Sequence, residues 1–182
     1  MKKITPESLQ ELQAITNPRL SSSGRYLCYT AKRCSDDLEG YCSQLFWMDL
    51  ETKMQYEVSL PQGPVSGVWD NDTLFLVTSA GKGRTRWETW SPENGRQAGF
   101  ELPLSCGGGT FLDNGLLLVR AAEPRGDENG TPLVVEEYPY TSDGKGWTCG
   151  KQEALYLYDR ESEQLLKITP QGAQIQLSYA WE

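Results

Sequence analysis

Short segments in which apolar and polar side chains alternate, separated by polar turns, run along nearly the whole chain. Alternation with a period of two over about four to eight residues predicts β-strands with one buried face. By this pattern we predict strands at residues 25–30, 44–50, 53–60, 73–78, 86–90, 97–102, 110–112, 116–120, 154–158 and 164–169. The chain is therefore predicted to be all-β after its first segment.

The first segment, residues 5–16, has a different pattern. The apolar side chains of Leu9, Leu12 and Ile15 recur every three positions, which predicts one apolar stripe along a helix. Pro6 suits the first turn of a helix, and Asn17-Pro18 would end it, because a residue before proline is disfavoured in the α region. We therefore predict a short N-terminal helical extension over residues 1–16.

The turns between the predicted strands recur at a nearly constant interval. The turns at Ser23-Gly24, Asn71-Asp72 and Asn114-Gly115 lie 43 to 48 residues apart. Four short strands per unit of about 40–45 residues are typical of β-propeller blades, although a β-sandwich also contains many short strands. The repetition of whole hairpin pairs favours the propeller. We predict a partial propeller at residues 17–182, with blades at 17–60, 61–104 and 105–169 and a long insertion near 121–150.

A fourth unit is predicted to begin at residues 174–182. Ala180-Trp181-Glu182 matches Val68-Trp69-Asp70, which precedes the hairpin turn of the second unit. Since propellers close with about four to eight blades, three units and a fraction would leave two apolar blade faces uncovered. We expect further blades or a second copy of the chain to cover them.

Charge and composition narrow the possible partners. The chain has 182 residues and a net charge of −8, from 17 basic and 25 acidic residues, so nucleic acid and anionic membrane surfaces are disfavoured partners. It has neither an apolar run long enough to span a bilayer nor the apolar core of a signal peptide. The five cysteines, an odd number, are then best interpreted as reduced thiols in a cytoplasmic protein: Cys28, Cys34, Cys42, Cys106 and Cys149.

The absence of histidine excludes several kinds of catalytic site from this chain. Without it, the 182 residues hold no Ser-His-Asp triad, no Cys-His pair and no His-based zinc site. The Gly-x-Ser-x-Gly motif of α/β-hydrolases is also absent. We therefore predict no catalytic, cofactor-binding or metal-binding residues here, and no bound cofactor, while the residues that would contact a substrate stay unknown.

Two segments resemble a known family. Residues 20–29, Leu-Ser-Ser-Ser-Gly-Arg-Tyr-Leu-Cys-Tyr, resemble the first blade of the prolyl oligopeptidase family of serine peptidases. Residues 136–147, followed by 152–158 and 165–169, resemble the third blade of the acylaminoacyl-peptidase-like branch, which includes bacterial dipeptidyl-peptidase relatives. The sequence departs from the family at Ser22-Ser23, where Pro-Asp is usual.

The resemblance implies that the catalytic residues lie in an α/β-hydrolase domain that this sequence does not contain. In the family, the propeller covers the active site and selects substrates by size. The chain would then be the opening portion of such a cover, with peptide substrates reached through the full-length enzyme. The alternative is a stand-alone partial propeller that acts as an interaction or self-assembly module.

Some residues could be taken for sites, but each has a simpler interpretation. Glu136-Glu137 could bind a peptide amine, as in some dipeptidyl-peptidases of the family, although a solvated loop edge is expected. The Gly107–Gly109 run is interpreted as an inter-blade connection rather than a phosphate loop, and the neighbouring Cys106 as an inert thiol. Asp127, Glu128, Asp143 and Glu153 do not have calcium-loop spacing.

The six tryptophans could form a stacking platform, but most lie on predicted strands, where packing between blades is expected. They are Trp47, Trp69, Trp87, Trp90, Trp147 and Trp181.

Overall fold

The computed structural model describes residues 12–35, 40–58, 66–112, 114–124, 141–142, 146–147 and 151–170. These residues form strands connected by turns. The strands are β1 (Gln13–Leu20), β2 (Tyr26–Cys34), β3 (Tyr41–Asp49), β4 (Gln55–Val58), β5 (Ser66–Asp70), β6 (Thr73–Gly81), β7 (Arg84–Ser91), β8 (Gly95–Leu102), β9 (Cys106–Phe111), β10 (Leu116–Pro124), β11 (Thr141–Ser142), β12 (Gly146–Trp147), β13 (Lys151–Asp159) and β14 (Gln164–Lys167).

Within the described ranges the strands form three four-stranded antiparallel sheets, ordered β1-β2-β3-β4, β5-β6-β7-β8 and β9-β10-β13-β14. Strands β11 and β12 form a separate two-stranded pair. The chain divides into two compact units, Met1–Pro103 and Leu104–Glu182. The first unit holds the first two four-stranded sheets, and the second unit holds the third.

The first turn of each sheet uses a residue that tolerates a left-handed backbone. These residues are Gly24 between β1 and β2, Asn71 between β5 and β6, and Gly115 between β9 and β10, with φ of 71°, 53° and 79°. Glycine and asparagine adopt this region at the least steric cost, so the Ser-Gly, Asn-Asp and Asn-Gly sequences form tight hairpins.

The turn between the third and fourth strands of each sheet, called its outer turn, is closed by a side chain that accepts hydrogen bonds from turn amides. The last residue of the third strand accepts hydrogen bonds from turn amides: Glu51 N–H donates to Asp49 Oδ1 at 2.8 Å and Glu161 N–H to Asp159 Oδ1 at 2.9 Å. In the second sheet, Ser91 Oγ accepts a bond from the amide one position further along the turn, Asn94 N–H, at 3.2 Å. A short polar side chain that bonds its own turn stabilises the hairpin locally, which explains its recurrence at this position.

The core of the first unit lies between its two sheets. It is built from buried side chains of β2, β3, β4 and β6: Cys28, Leu45, Trp47, Val58, Leu74 and Leu76. The sheets approach closely at Gly67 of β5, where a Cβ atom would lie 3.0 Å from Cys28 Sγ and 3.1 Å from Leu74 Cδ1. A side chain at Gly67 would therefore press on Cys28 of the first sheet and on Leu74 of its own sheet.

The third sheet buries one face of its two central strands. The buried cross-strand pairs join β10 to β13 and are Leu117–Tyr158, Val119–Tyr156 and Ala121–Ala154. Alternate residues of a strand lie on the same face, so these pairs form a continuous apolar surface.

The Gly107–Gly109 run lies in β9, the first strand of this sheet, so its interpretation as an inter-blade connection is wrong. A Cβ at Gly109 would lie 2.6 Å from Leu118 O, which explains a glycine inside this strand.

Within the described residues, the all-β class and the three four-stranded antiparallel blades are confirmed. The predicted helix is wrong over residues 13–16, because these belong to β1, which pairs with β2 through Ile15–Ala31 and Thr16–Thr30. Asn17, with φ of 52°, and Pro18 form an irregularity within β1, where the register shifts, and end no helix. Residues 5–11 of the predicted helix lie outside the described residues.

The boundaries of the domains and blades stay predictions, because most of residues 121–150 and all of 171–182 lie outside the described residues. In the part of the chain that the structure describes, no helix is long and apolar enough to cross a membrane.

Candidate functional site

A cleft of about 370 Å³ opens between the two sheets of the first unit, at the edge where their hairpin turns lie. Its walls are aromatic and its rim is polar and charged. The first sheet contributes Arg25, Tyr26, Trp47, Asp49, Thr52, Met54 and Tyr56, and the second sheet contributes Asp72, Trp90, Ser91, Pro92 and Glu93.

The aromatic walls of this cleft form a connected group centred on Trp47. Its ring lies 5.0 Å from Tyr26, 5.7 Å from Tyr56 and 6.2 Å from Trp90, measured between centroids. Trp47 is buried, whereas the other three rings are partly buried. Stacked and tilted rings at such distances support one another, and they leave partly exposed surfaces toward the cleft.

An ion pair at the rim fixes a guanidinium over one of these rings. Arg25 Nη2 and Nε donate to Asp49 Oδ2 at 2.9 and 3.3 Å, and the guanidinium carbon lies 5.1 Å from the centroid of the Tyr26 ring. Arg25 Nε also lies 3.4 Å from Glu51 Oε2. The hydrogen bond from Arg25, with help from the turn amides, holds the pKa of Asp49 below its usual value, so Asp49 is ionised at neutral pH.

A second contact joins the hairpin turns of the two sheets across the cleft. Ser23 Oγ donates to Asp72 Oδ1 at 2.7 Å, and Ser22 N–H donates to Asn71 O at 3.1 Å. The hydrogen bond from Ser23 lowers the pKa of Asp72, which is therefore also a carboxylate at neutral pH. Nearby, Trp69 Nε1–H donates to Arg19 O at 2.9 Å, and its ring lies 6.3 Å from Tyr26.

The cleft has the chemistry of a binding site rather than of acid–base catalysis. Three carboxylates, Asp49, Asp72 and Glu93, and one guanidinium, Arg25, line it. The pKa values of Asp49 and Asp72 are lowered, whereas a general acid at neutral pH would need a raised pKa. Among the described residues, no group of three or more Cys, Asp or Glu side chains could hold a metal ion.

Several residues that were considered as candidate sites from the sequence do not line the cleft or lie outside the described residues. Glu136-Glu137 and Trp181 fall outside the described residues, as do Asp127, Glu128 and Asp143. Glu153 is exposed and lies 3.6 Å from Arg120, measured between Oε2 and Nη1, in a surface ion pair of the third sheet. Cys106 lies in β9 and does not line the cleft.

The tryptophans divide between packing and the cleft. Trp87 is fully buried, in agreement with the packing interpretation, whereas Trp90 lines the cleft beside the buried Trp47. The charged rim was not predicted from the sequence. Asp72 was interpreted only as part of the Asn71-Asp72 turn, although the recurrence of such turns was a sign that they share one edge.

Comparison with known proteins relates the fold to one group of solved structures. The acylaminoacyl peptidase of Pyrococcus horikoshii in its orthorhombic form superposes on 91% of this chain with a TM-score of 0.64 and 14% identity. The uncomplexed form of that peptidase matches 88% of the chain, with a TM-score of 0.62 and 12% identity. The chain has the fold of the N-terminal part of an acylaminoacyl peptidase.

A third solved structure, an acylaminoacyl peptidase in complex with Z-Gly-Gly-Phe-chloromethyl ketone, matches 91% of the chain with a TM-score of 0.62 and 14% identity. The chain covers only 27%, 26% and 27% of these three structures. No family model and no curated protein matches the chain. The resemblance seen in residues 20–29 is thus confirmed at the level of fold.

Proposed function

We propose that this chain is the non-catalytic N-terminal propeller part of a serine peptidase of the prolyl oligopeptidase family. In that role it limits the access of peptides to an α/β-hydrolase domain. The observation that carries the proposal is the superposition of 91% of the chain on about a quarter of an acylaminoacyl peptidase. The recurring hairpin turns of the three sheets support it, because they are the turns of blade units.

The chemistry of the chain is consistent with a covering role. It contains no histidine, so a Ser-His-Asp triad would have to lie in another part of the protein. The described residues supply sheets, turns and an aromatic cleft. Peptide substrates and a hydrolase domain are therefore the proposed partners, and the cytoplasm is the proposed location.

Two measurements test the covering role. The DNA that follows codon 182 should encode a Gly-x-Ser-x-Gly motif with an Asp and a His after it. The full-length protein should cleave acylated peptides, and its kcat/KM should fall as the peptide lengthens when the acyl residue and the scissile bond are held constant. Deletion of the propeller should remove this length dependence. An unrelated downstream gene, or a length dependence that survives the deletion, would refute the proposal.

A self-assembly role is the second candidate, and exposed apolar side chains favour it. Ile15 and Leu20 on β1 are 65% and 57% exposed, and Leu166 on β14 is 64% exposed. Large exposed apolar side chains on strands can mark contact surfaces. If copies associate through β1, light scattering should give a dimer that Ile15→Lys converts to a monomer, whereas the matched Thr110→Lys on β9 should not. A monomeric wild-type chain would exclude this role.

A further inference from the structure

We propose that the cleft of the first unit binds an organic cation, and specifically the guanidinium of an arginine side chain on a peptide. This inference is independent of the peptidase proposal, because the described residues that line the cleft all belong to the first two sheets and their turns. It rests on four features of the cleft: its rings, its net charge, a guanidinium that it already holds, and its size.

The rings supply the attraction for a cation. Tyr26, Tyr56 and Trp90 are only partly buried around Trp47, and all four rings line the cleft. The face of an aromatic ring is electron-rich, so a cation within about 6 Å of the centroid is stabilised, more so for tryptophan and when water is displaced. Neutral apolar groups would also contact these rings. The charge of the rim decides between a cationic ligand and a neutral apolar one.

The rim is negative after its internal pair is counted. Arg25 and Asp49 neutralise each other at 2.9 Å between Nη2 and Oδ2. Asp72 and Glu93 remain, and Glu93 is exposed on the turn between β7 and β8. An anion would meet two carboxylates and a guanidinium that is already paired. A cation gains from both carboxylates, so charge complementarity selects the cation.

The molecule itself shows that this surface accepts a guanidinium. The Arg25 guanidinium lies 5.1 Å from the Tyr26 centroid while it donates to a carboxylate. A second guanidinium could repeat this arrangement with Trp90 and Glu93 on the opposite wall. Arginine is favoured over lysine because a planar guanidinium can lie flat on a ring and present several N–H donors to a carboxylate at once.

The size of the cleft limits the ligand. Its volume of about 370 Å³ lies at the low end of small-molecule sites, which occupy roughly 300–1,000 Å³. One long side chain and part of its backbone fit such a volume, whereas a folded partner does not. The opening lies among hairpin turns, where an extended peptide can pass.

Isothermal titration of the full chain with N-acetyl-arginine amide tests the proposal, because this probe carries one cation and no terminal charges. N-acetyl-citrulline amide is the matched control, since a neutral urea replaces the guanidinium with almost the same shape. We expect the arginine probe to bind more tightly than the citrulline probe and than N-acetyl-lysine amide, and added salt to weaken the binding. Equal affinities for the arginine and citrulline probes, or no binding of the arginine probe, would overturn the proposal.

Two variants at equivalent turn positions locate the site. Glu93→Gln should weaken binding by about two- to fivefold, the effect of one exposed charge contact. Glu161→Gln changes the net charge equally at the matching turn of the third sheet, which does not line the cleft, and should leave binding unchanged. Both residues are exposed, so both variants should keep the wild-type circular dichroism. Equal weakening by the two variants would show general charge attraction and overturn the assignment to the cleft.

Discussion

The glycines of β9 allow a sharp test of the third sheet, because two of them should respond to alanine with opposite signs. A Cβ at Gly109 would lie 2.6 Å from Leu118 O, 2.9 Å from Val119 Cγ1 and 3.1 Å from Leu117 Cδ1. Comfortable carbon–oxygen contacts begin at about 3.3 Å, so β9 would have to move from β10 by roughly 0.7 Å. We expect Gly109→Ala to lower the free energy of unfolding by about 1–3 kcal/mol, as overpacking usually does.

Gly107 is the matched control on the same strand. A Cβ at Gly107 would have no heavy atom within 4 Å, and its φ lies outside the left-handed region. Alanine there restricts the unfolded chain without straining the folded one, so Gly107→Ala should leave stability unchanged or raise it by up to about 1 kcal/mol.

Urea titration followed by circular dichroism measures both effects, and hydrogen exchange locates them. The amides of β10 should lose protection by roughly 5- to 150-fold in Gly109→Ala and not in Gly107→Ala. Equal destabilisation by the two substitutions, or loss of protection confined to the first unit, would refute the packing assigned to β9.

Three further results are expected. Asp49→Asn should lower the free energy of unfolding at neutral pH, and the difference from wild type should shrink as pH falls from 3.8 through the lowered pKa of the native carboxyl, as measured by urea titration at each pH. Burial raises the pKa of the Cys28 thiol to about 11, so little of it is thiolate at neutral pH, and mass spectrometry should show iodoacetamide labelling it far more slowly than the exposed Cys42, a difference that denaturant abolishes. Leu76→Ala, at a fully buried site, should cost about 2–5 kcal/mol in a urea titration, and Leu166→Ala, at a 64% exposed site, under about 0.5 kcal/mol.

The parts of the fold that depend on local chemistry could be predicted from the sequence. The turns at Asn71-Asp72 and Asn114-Gly115 were predicted, and within them Asn71 and Gly115 have φ of 53° and 79°. The alternating strands beside these turns follow from the same local pattern. Because a hairpin closes over few residues, its turn residues nearly determine its register.

The first strand could not be predicted in this way, because its pattern is ambiguous and its partner decides the outcome. Leu12 and Ile15 were predicted to lie on the apolar stripe of a helix, yet Ile15 lies in a strand and both side chains are 65% exposed. The segment instead gains the backbone hydrogen bonds of an edge strand beside β2. Long-range pairing has outweighed a weak helical periodicity, and a single sequence carries little information about it.

The cleft was missed for a related reason. Its residues come from four stretches of the chain, 25–26, 47–56, 72 and 90–93. The sequence does not show which faces of the two sheets meet. Trp47 and Trp90 were predicted to pack, which describes Trp47 well but overlooks the exposed part of Trp90. The 43-residue interval between Asp49 and Pro92 was the available signal, since it places both outer turns at one edge.

The outer turns show how one position can serve both the fold and the cleft. Asp49 and Asp159 use Oδ1 in the same way, to accept the amide of Glu51 or Glu161. Their Oδ2 atoms differ, because that of Asp159 accepts Ser162 Oγ–H at 2.7 Å within its own turn, whereas that of Asp49 holds Arg25.

Asparagine at position 49 separates these two roles. It retains a carbonyl oxygen for the turn amides, but it presents an amide nitrogen, which cannot accept a hydrogen bond, where Oδ2 accepts Arg25. The hairpin should therefore persist while Arg25 loses its anchor over the Tyr26 ring. The first oxygen of Asp49 thus serves the turn, as that of Asp159 does, and its second oxygen holds the guanidinium at the rim of the aromatic cleft.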